Sequence, residues 1–261
     1  MGDRSDLSDT LAFADPWRLD GRYALVTGAS SGLGRRFAQV LAAAGAHVVA
    51  TARRADQLAE LSAESKGSIE VLPGDITDPT HRQALGHRME EVGGLDVLVN
   101  NAGICDDGPI VDQELQQLTH VIDVNLTSVL DLCRLTGKLL LESQHGSAIN
   151  VASMYGVVAS RGSMAAYNAT KGALINLTRH LAAQWGHKGV RVNALAPGYF
   201  PTELTGFVSD VQFRKWIEDQ TLLGRVPSES ELDGALLFLA SDASSYVTGQ
   251  VLVVDGGWTA V

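Results

Sequence analysis

Tyr167 and Lys171 lie four residues apart in the run Tyr167-Asn168-Ala169-Thr170-Lys171. On a helix that spacing stacks the two side chains on one face, so an ammonium stands beside a phenol. A positive charge at that range favours phenolate and pulls a tyrosine below its ordinary pKa of ~10, toward neutrality. Such a phenol could give a proton to a forming alkoxide or take one from an alcohol. Tyr155 offers a second phenol, but no lysine follows it four residues on. Its place two residues after Ser153 suits it instead to line a substrate pocket.

A second cluster lies near the chain start, in Thr27-Gly28-Ala29-Ser30-Ser31-Gly32-Leu33-Gly34. Gly28 permits a tight turn, Gly32 lets backbone approach a pyrophosphate, and Gly34 lets a helix pack closely on a strand. Ser30, Ser31 and Leu33 fill the loop between them, and the following helix N-terminus offers N–H groups and a positive dipole to an anion. Further on, Val49-Ala50-Thr51-Ala52-Arg53-Arg54 ends a strand without the carboxylate that would bond a ribose 2′-hydroxyl. Arg53 offers a guanidinium fork suited to a 2′-phosphate, with Arg54 beside it, so NADP(H) is favoured over NAD(H). In Gly74-Asp75-Ile76, Asp75 reads as the acceptor for an adenine amino group, although a plain turn carboxylate would look the same.

These groups need elements to hold them. Apolar β-branched runs at 23–27, 47–51, 69–72, 96–100, 147–152, 190–195 and 251–254 predict about seven strands, each buried on both faces. Helical spacing fills the gaps: after Gly34 up to Gly45, then 55–64, 79–92, a long helix within 113–142, 165–185 and 231–240. Alternation of this kind predicts an α/β fold, a single-domain doubly wound parallel sheet with helices on both faces. Ligands of such sheets sit at the carboxyl ends of the strands, where every cluster above falls. Residues 1–18 read as an N-terminal extension and 19–261 as one catalytic domain, with no linker or composition break between.

Composition narrows the partners. The 261 residues carry a net charge of −10, with Lys and Arg scattered, which argues against a nucleic-acid backbone. No run of ~18 apolar residues could span a membrane, and the acidic start has no apolar signal core, so a soluble cytoplasmic protein is expected. Cys105 and Cys133 form neither a disulfide framework nor a zinc pattern, and no metal site is predicted.

In chain order, the glycine loop, Asn100-Asn101-Ala102-Gly103, Asn125, Ser153, Tyr167 with Lys171, and Pro197-Gly198-Tyr199-Phe200-Pro201-Thr202 resemble the short-chain dehydrogenase/reductase family, from about Leu19 to the C-terminus. The resemblance implies a Rossmann-type fold and hydride passage between NADP(H) and a carbonyl or secondary alcohol. It implies that Ser153 orients the substrate oxygen, that Tyr167 is the acid or base, and that Asn125 holds a water linking Lys171 to a proton relay. Asn101, Ala102 and Gly103 would line the nicotinamide side of the groove. Pro197 and Gly198 would carry the chain over the cofactor, with Phe200 and Thr202 beside them. Thr170 stands where the family more often has serine, and it keeps the hydroxyl. Among subgroups, 3-oxoacyl reductases, carbonyl reductases and sugar-acid dehydrogenases fit equally. A catalytically silent NADP(H)-binding sensor or regulator is the alternative, disfavoured by the complete Asn–Ser–Tyr–Lys set.

The substrate side is less defined. From Glu203 to Gly224 the periodicity loosens, and 199–224 reads as a substrate lid carrying Leu204, Phe207, Val208, Phe213, Trp216, Ile217, Leu222 and Leu223, with helix-packing core as the equal alternative. Tyr155 and Tyr199 are expected to line the substrate pocket, with Met154, Met164 and Cys105 as further candidates. Leucines on the 113–142 and 165–185 helices exceed a single stripe, and the 250–254 strand with Trp258 is very apolar, so a homotetramer is expected.

Overall fold

The computed structural model describes residues 15–202, 206 and 210–261. Within them, strands β1 (Tyr23–Thr27), β2 (His47–Thr51), β3 (Ile69–Val71), β4 (Val97–Asn100), β5 (Ser147–Val151), β6 (Arg191–Pro197) and β7 (Val251–Val254) form one sheet. Every described pairing is parallel, in the order β3-β2-β1-β4-β5-β6-β7. The order reverses between β1 and β4, and that switch point opens a crevice at the strand ends.

Alternation along each strand divides the core in two. Ala24 and Val26, Val97 and Val99, and Ile149 and Val151 face one side, against α1 (Gly32–Ala43), α2 (Ala55–Glu64) and α8 (Asp233–Ala240). Leu25, Leu98 and Ala148 face the other, against α3 (Pro79–Val92), α5 (Ser128–Glu142) and α6 (Ala165–Trp185). Both faces are therefore covered, which is why these strands read as continuous apolar runs. Where local chemistry marks an end, element and expectation coincide. Asp78 caps α3 by accepting from Thr80 N at 2.8 Å, Pro79 opens its first turn, and Gly93 closes it at φ +117°.

One expectation changes, and two other regions gain detail. The long helix predicted within 113–142 is two helices, α4 (Leu115–Ile122) and α5, joined by a π-helical turn at Asp123–Thr127. The loosened region holds a helix, α7 (Val211–Gln220), capped by Asp210 accepting from Gln212 N and Phe213 N. Leu204, Phe207 and Val208 lie outside the described residues. Trp258 does not reach outward as a free apolar group, because its ring packs on Tyr199 (centroids 5.4 Å) and Trp216 (5.0 Å). At the other end, Pro16 O accepts from Ala243 N and Trp17 lies 6.3 Å from Phe238, so contacts with the body begin before Leu19.

Candidate active site

The crevice at the switch point is a groove of about 510 Å³. Every residue expected to touch a dinucleotide lines it. The loop after β1 supplies Gly28, Ser30, Ser31, Gly32, Leu33 and Gly34; the end of β2 supplies Arg53 and Arg54; the segment after β3 supplies Asp75 and Ile76. From the far side come Asn101, Ala102 and Gly103 after β4, then Pro197, Gly198, Phe200 and Thr202 after β6. Tyr167 and Lys171 of α6 and Ser153 after β5 complete the wall.

The glycines are required by space. Gly28 sits at φ +70°, and a Cβ there would stand 2.9 Å from both Ala102 Cα and Asn101 Nδ2. One at Gly34 would run into the Gly28 carbonyl oxygen. The loop is also fastened across the switch point by a residue the sequence did not single out. Thr27 Oγ1 accepts from Asn101 N and Ala102 N, both at 3.0 Å, and Asn101 Nδ2 donates back to Thr27 O at 2.9 Å. At the N-terminus of α1, Ser31 makes no side-chain cap bond, and its hydroxyl accepts from Arg54 Nη2 at 2.5 Å. Arg54 also reaches Ser30 Oγ, so its guanidinium is held over the loop, while Arg53 is exposed and its charge helps hold Asp75 below the ordinary carboxylate range. The main cause of that lowering is the Thr77 N–H bonded to Asp75 Oδ1 at 2.8 Å. A glycine cradle, an uncapped helix start and two guanidinium groups are a donor set that fits a phosphorylated dinucleotide.

Deeper in, Lys171 is buried and donates from Nζ to Val151 O at 2.8 Å, with Nζ 5.5 Å from the centre of the Tyr167 ring. Burial brings the Lys171 ammonium down to about 8. Burial likewise pushes Tyr167 up to about 12, against the Ser153 hydroxyl, whose hydrogen bond lowers it. This reverses the expectation of a phenol drawn toward neutrality. Desolvation of the phenolate is the largest cause and outweighs the lowering by Ser153, so the phenol carries its proton at pH 7.

Asn125 is fully buried in the π-helical turn. Its Oδ1 accepts from Ile104 N and its Nδ2 donates to Ile104 O, both at 2.9 Å, and to Thr170 Oγ1 at 3.1 Å. Those bonds clip the loop after β4 to α6, three residues past Tyr167. Of the four bonds a side-chain amide can make, one Oδ1 lone pair is left over. A Cβ on Gly103 would lie 3.4 Å from both Asn125 Oδ1 and Lys171 Nζ, so a glycine keeps the space between those two atoms open.

Tyr155 and Tyr199 lie outside the groove wall and meet each other, with hydroxyl oxygens 3.0 Å apart and rings at 82°. Around Tyr199 gather Phe213 (5.4 Å), Trp216 (5.8 Å) and Trp258 (5.4 Å), joining α7 to the C-terminal turn. Burial raises both tyrosines above their ordinary pKa, so both remain neutral phenols. Met154 is buried in the interior, and the Cys105 thiol is pushed up to about 11, chiefly by burial and then by Asp106 and Asp107.

The family model described as Enoyl-(Acyl carrier protein) reductase matches residues 28–259. A galactitol 2-dehydrogenase (L-tagatose-forming) from Cereibacter sphaeroides is 39% identical over 247 residues, covering 93% of this chain and 97% of its own. A 3-oxoacyl-acyl-carrier-protein reductase from Escherichia coli is 36% identical, covering 91% and 97%. Among solved structures, a gluconate 5-dehydrogenase from Burkholderia cenocepacia in complex with NADP and tartrate superposes with a TM-score of 0.89 at 38% identity, over 95% of this chain and 98% of that one. The chain belongs to the short-chain dehydrogenase/reductase family.

Proposed function

We propose that this protein is an NADP(H)-dependent oxidoreductase acting on a carbonyl or secondary alcohol, with Ser153, Tyr167 and Lys171 as its acid/base system. The observation carrying the reading is the single groove in which the glycine loop, Arg53 and Arg54 at one end lead to Ser153, Tyr167 and Lys171 at the other. Relatives bearing dehydrogenase and reductase names, one crystallised with NADP, support it.

The nicotinamide, when bound, supplies or receives hydride. Each residue of the chain then has a defined task. Arg53 and Arg54 hold the 2′-phosphate, Gly28 to Gly34 and the start of α1 hold the pyrophosphate, and Asp75 accepts from the adenine amino group. Ser153 would donate to the substrate oxygen, and Tyr167 would give that oxygen a proton in reduction or take one from it in oxidation. Replenishment runs through Lys171 and a water held on the remaining Asn125 lone pair, beside Gly103. A sensor that binds NADP(H) without turnover needs no buried Tyr–Lys pair beside a strand-end serine, so the enzyme is the better reading.

The substrate body would rest on the aromatic cluster under Tyr199. One hydroxyl proton of the Tyr155–Tyr199 pair is left after their mutual bond and can meet a second substrate oxygen. The segments 105–114, 153–168, 199–216 and 255–261 contain three Lys or Arg among several carboxylates, Arg161, Arg214 and Lys215, and the last two pair with Glu218 and Asp219 of α7. An uncharged substrate is therefore favoured over an anionic one. Soluble, cytoplasmic residence fits a chain in which no described helix is long and apolar enough to cross a membrane. Assembly as a homotetramer is supported by β7, an apolar edge strand only partly buried along its length, and by Leu130, 46% exposed on α5.

The test is NADPH oxidation against matched neutral and carboxylated ketones. Turnover with a preference for the neutral members is expected. NADPH binding with no turnover of any carbonyl, and no oxidation of any alcohol with NADP⁺, would select the sensor instead.

A further inference from the structure

A helix begins with N–H groups that have no partner inside it. At the start of α6 the residue in the capping position is Met164, which makes no side-chain cap bond. The missing acceptor comes from a different part of the chain. Asp106 Oδ1 accepts from Tyr167 N at 2.8 Å, and Asp106 Oδ2 accepts from Ala166 N at 3.1 Å. Asp106 is 6% exposed, and one of its carboxylate's two bonds falls on the backbone of the very residue whose phenol faces the groove.

Asp106 also sits in a telling place. It follows Ile104 and Cys105, directly after the Asn101–Gly103 wall, and Asn125 fixes Ile104 through both its N–H and its carbonyl. Two residues beyond, Gly108 N donates to Ser163 O at 3.1 Å, just before α6. The wall after β4 and the first turn of α6 are thus laced together at three levels, and Asp106 is the only one of them with a charge placed against the positive end of the helix. A carboxylate suits both N–H groups, whereas an amide in its place would turn one NH₂ toward a donor.

We propose that Asp106 is a positioning residue for Tyr167: its two-oxygen cap sets where the first turn of α6 sits against the wall after β4, and so where the phenol stands relative to Ser153. The assignment rests on the oxidoreductase reading above. Small displacements of an acid from its working position lower turnover steeply, by as much as ~100-fold per ångström. Substrate and cofactor affinity depend on other parts of the groove.

The experiment compares Asp106→Ala, Asp106→Asn and the exposed-neighbour control Asp107→Ala with the unaltered protein, using NADPH and a carbonyl that the protein reduces. For Asp106→Ala, kcat should fall at least ~10-fold while KM and the NADPH Kd stay within about twofold. Asp106→Asn, which keeps one acceptor, should recover part of the loss, and Asp107→Ala should match the unaltered protein. In a Tyr167→Phe background, Asp106→Ala should cost nothing further, because its effect runs through the phenol. An equal loss in both backgrounds, or an unchanged kcat in folded Asp106→Ala, would overturn the proposal. Amide exchange across 164–170 gives a readout independent of turnover. It should quicken in Asp106→Ala and, if that variant does not fold, in Asp106→Asn. Unchanged exchange would overturn the cap itself, whereas an unaltered protein that reduces no carbonyl would overturn only the oxidoreductase reading on which the assignment rests.

Discussion

Arg53→Ala should separate the two nicotinamide dinucleotides. Arg53 is exposed at the rim of the groove, and its charge reaches Asp75, but the loop after β1 does not depend on it. The lost contact is thus confined to a 2′-phosphate, which NADH lacks. A charge-assisted hydrogen bond contributes about 1.5–3 kcal/mol, and about 1.4 kcal/mol is tenfold in affinity, so NADPH should bind ~10–100-fold more weakly. NADH should change by less than about twofold. Arg54→Ala should behave differently, because Arg54 holds the Ser30 and Ser31 hydroxyls as well as facing the groove. Its removal loosens the pyrophosphate loop and should weaken both dinucleotides, NADPH more. Fluorescence titration of each variant at two ionic strengths is the assay, and the NADPH penalty of Arg53→Ala should shrink at high salt. Equal losses for NADPH and NADH in Arg53→Ala would refute the assignment of the 2′-phosphate to this arginine.

Gly28→Ala places a side chain at φ +70° and against the Ala102 backbone; strain of ~1–2 kcal/mol and overlap of ~1–3 kcal/mol should lower Tm by about 5–15 °C in a thermal melt. An unchanged Tm would mean the contact with Ala102 relaxes freely. With Tyr167 near 12 in the unliganded protein, alcohol oxidation, which needs phenolate, should rise up to ~tenfold per pH unit above neutrality, while carbonyl reduction, which needs the phenol, stays flat. A falling oxidation rate between pH 7 and 9 would contradict that sign. Light scattering across a dilution series should report a tetramer, and a persistent 27.7 kDa species at micromolar concentration would exclude it.

Most of the fold was legible because its signals are local. Alternating burial of Leu25 against Ala24 and Val26 comes from a run that is apolar on both faces, and α3 announces both its ends with Asp78-Pro79 and Gly93. The dinucleotide groove was legible for the same reason, each glycine and arginine lying within a few residues of a strand end. What the sequence hid is long-range or collective. The π-helical turn at Asp123–Thr127 breaks a helix whose apolar pattern barely changes across it. Trp258 meets Trp216, 42 positions earlier, and nothing local in the sequence announces that contact. Spacing supplied the ammonium beside Tyr167 but not the burial that weakens it, and the sign of the pKa shift followed burial. Asp106 was passed over because the helix it caps begins some sixty residues later.

The central claim is that Tyr167 delivers the proton that accompanies hydride transfer. Tyr167→Phe keeps the ring against Lys171 and removes only the hydroxyl, so the fold and the NADPH Kd should be unchanged while NADPH oxidation with a ketone that the unaltered protein reduces falls by ~100-fold or more. The measurement is single-turnover decay of NADPH absorbance with saturating ketone, alongside a fluorescence titration of NADPH. A folded Tyr167→Phe protein that binds NADPH normally and oxidises it at near the original rate would contradict the account.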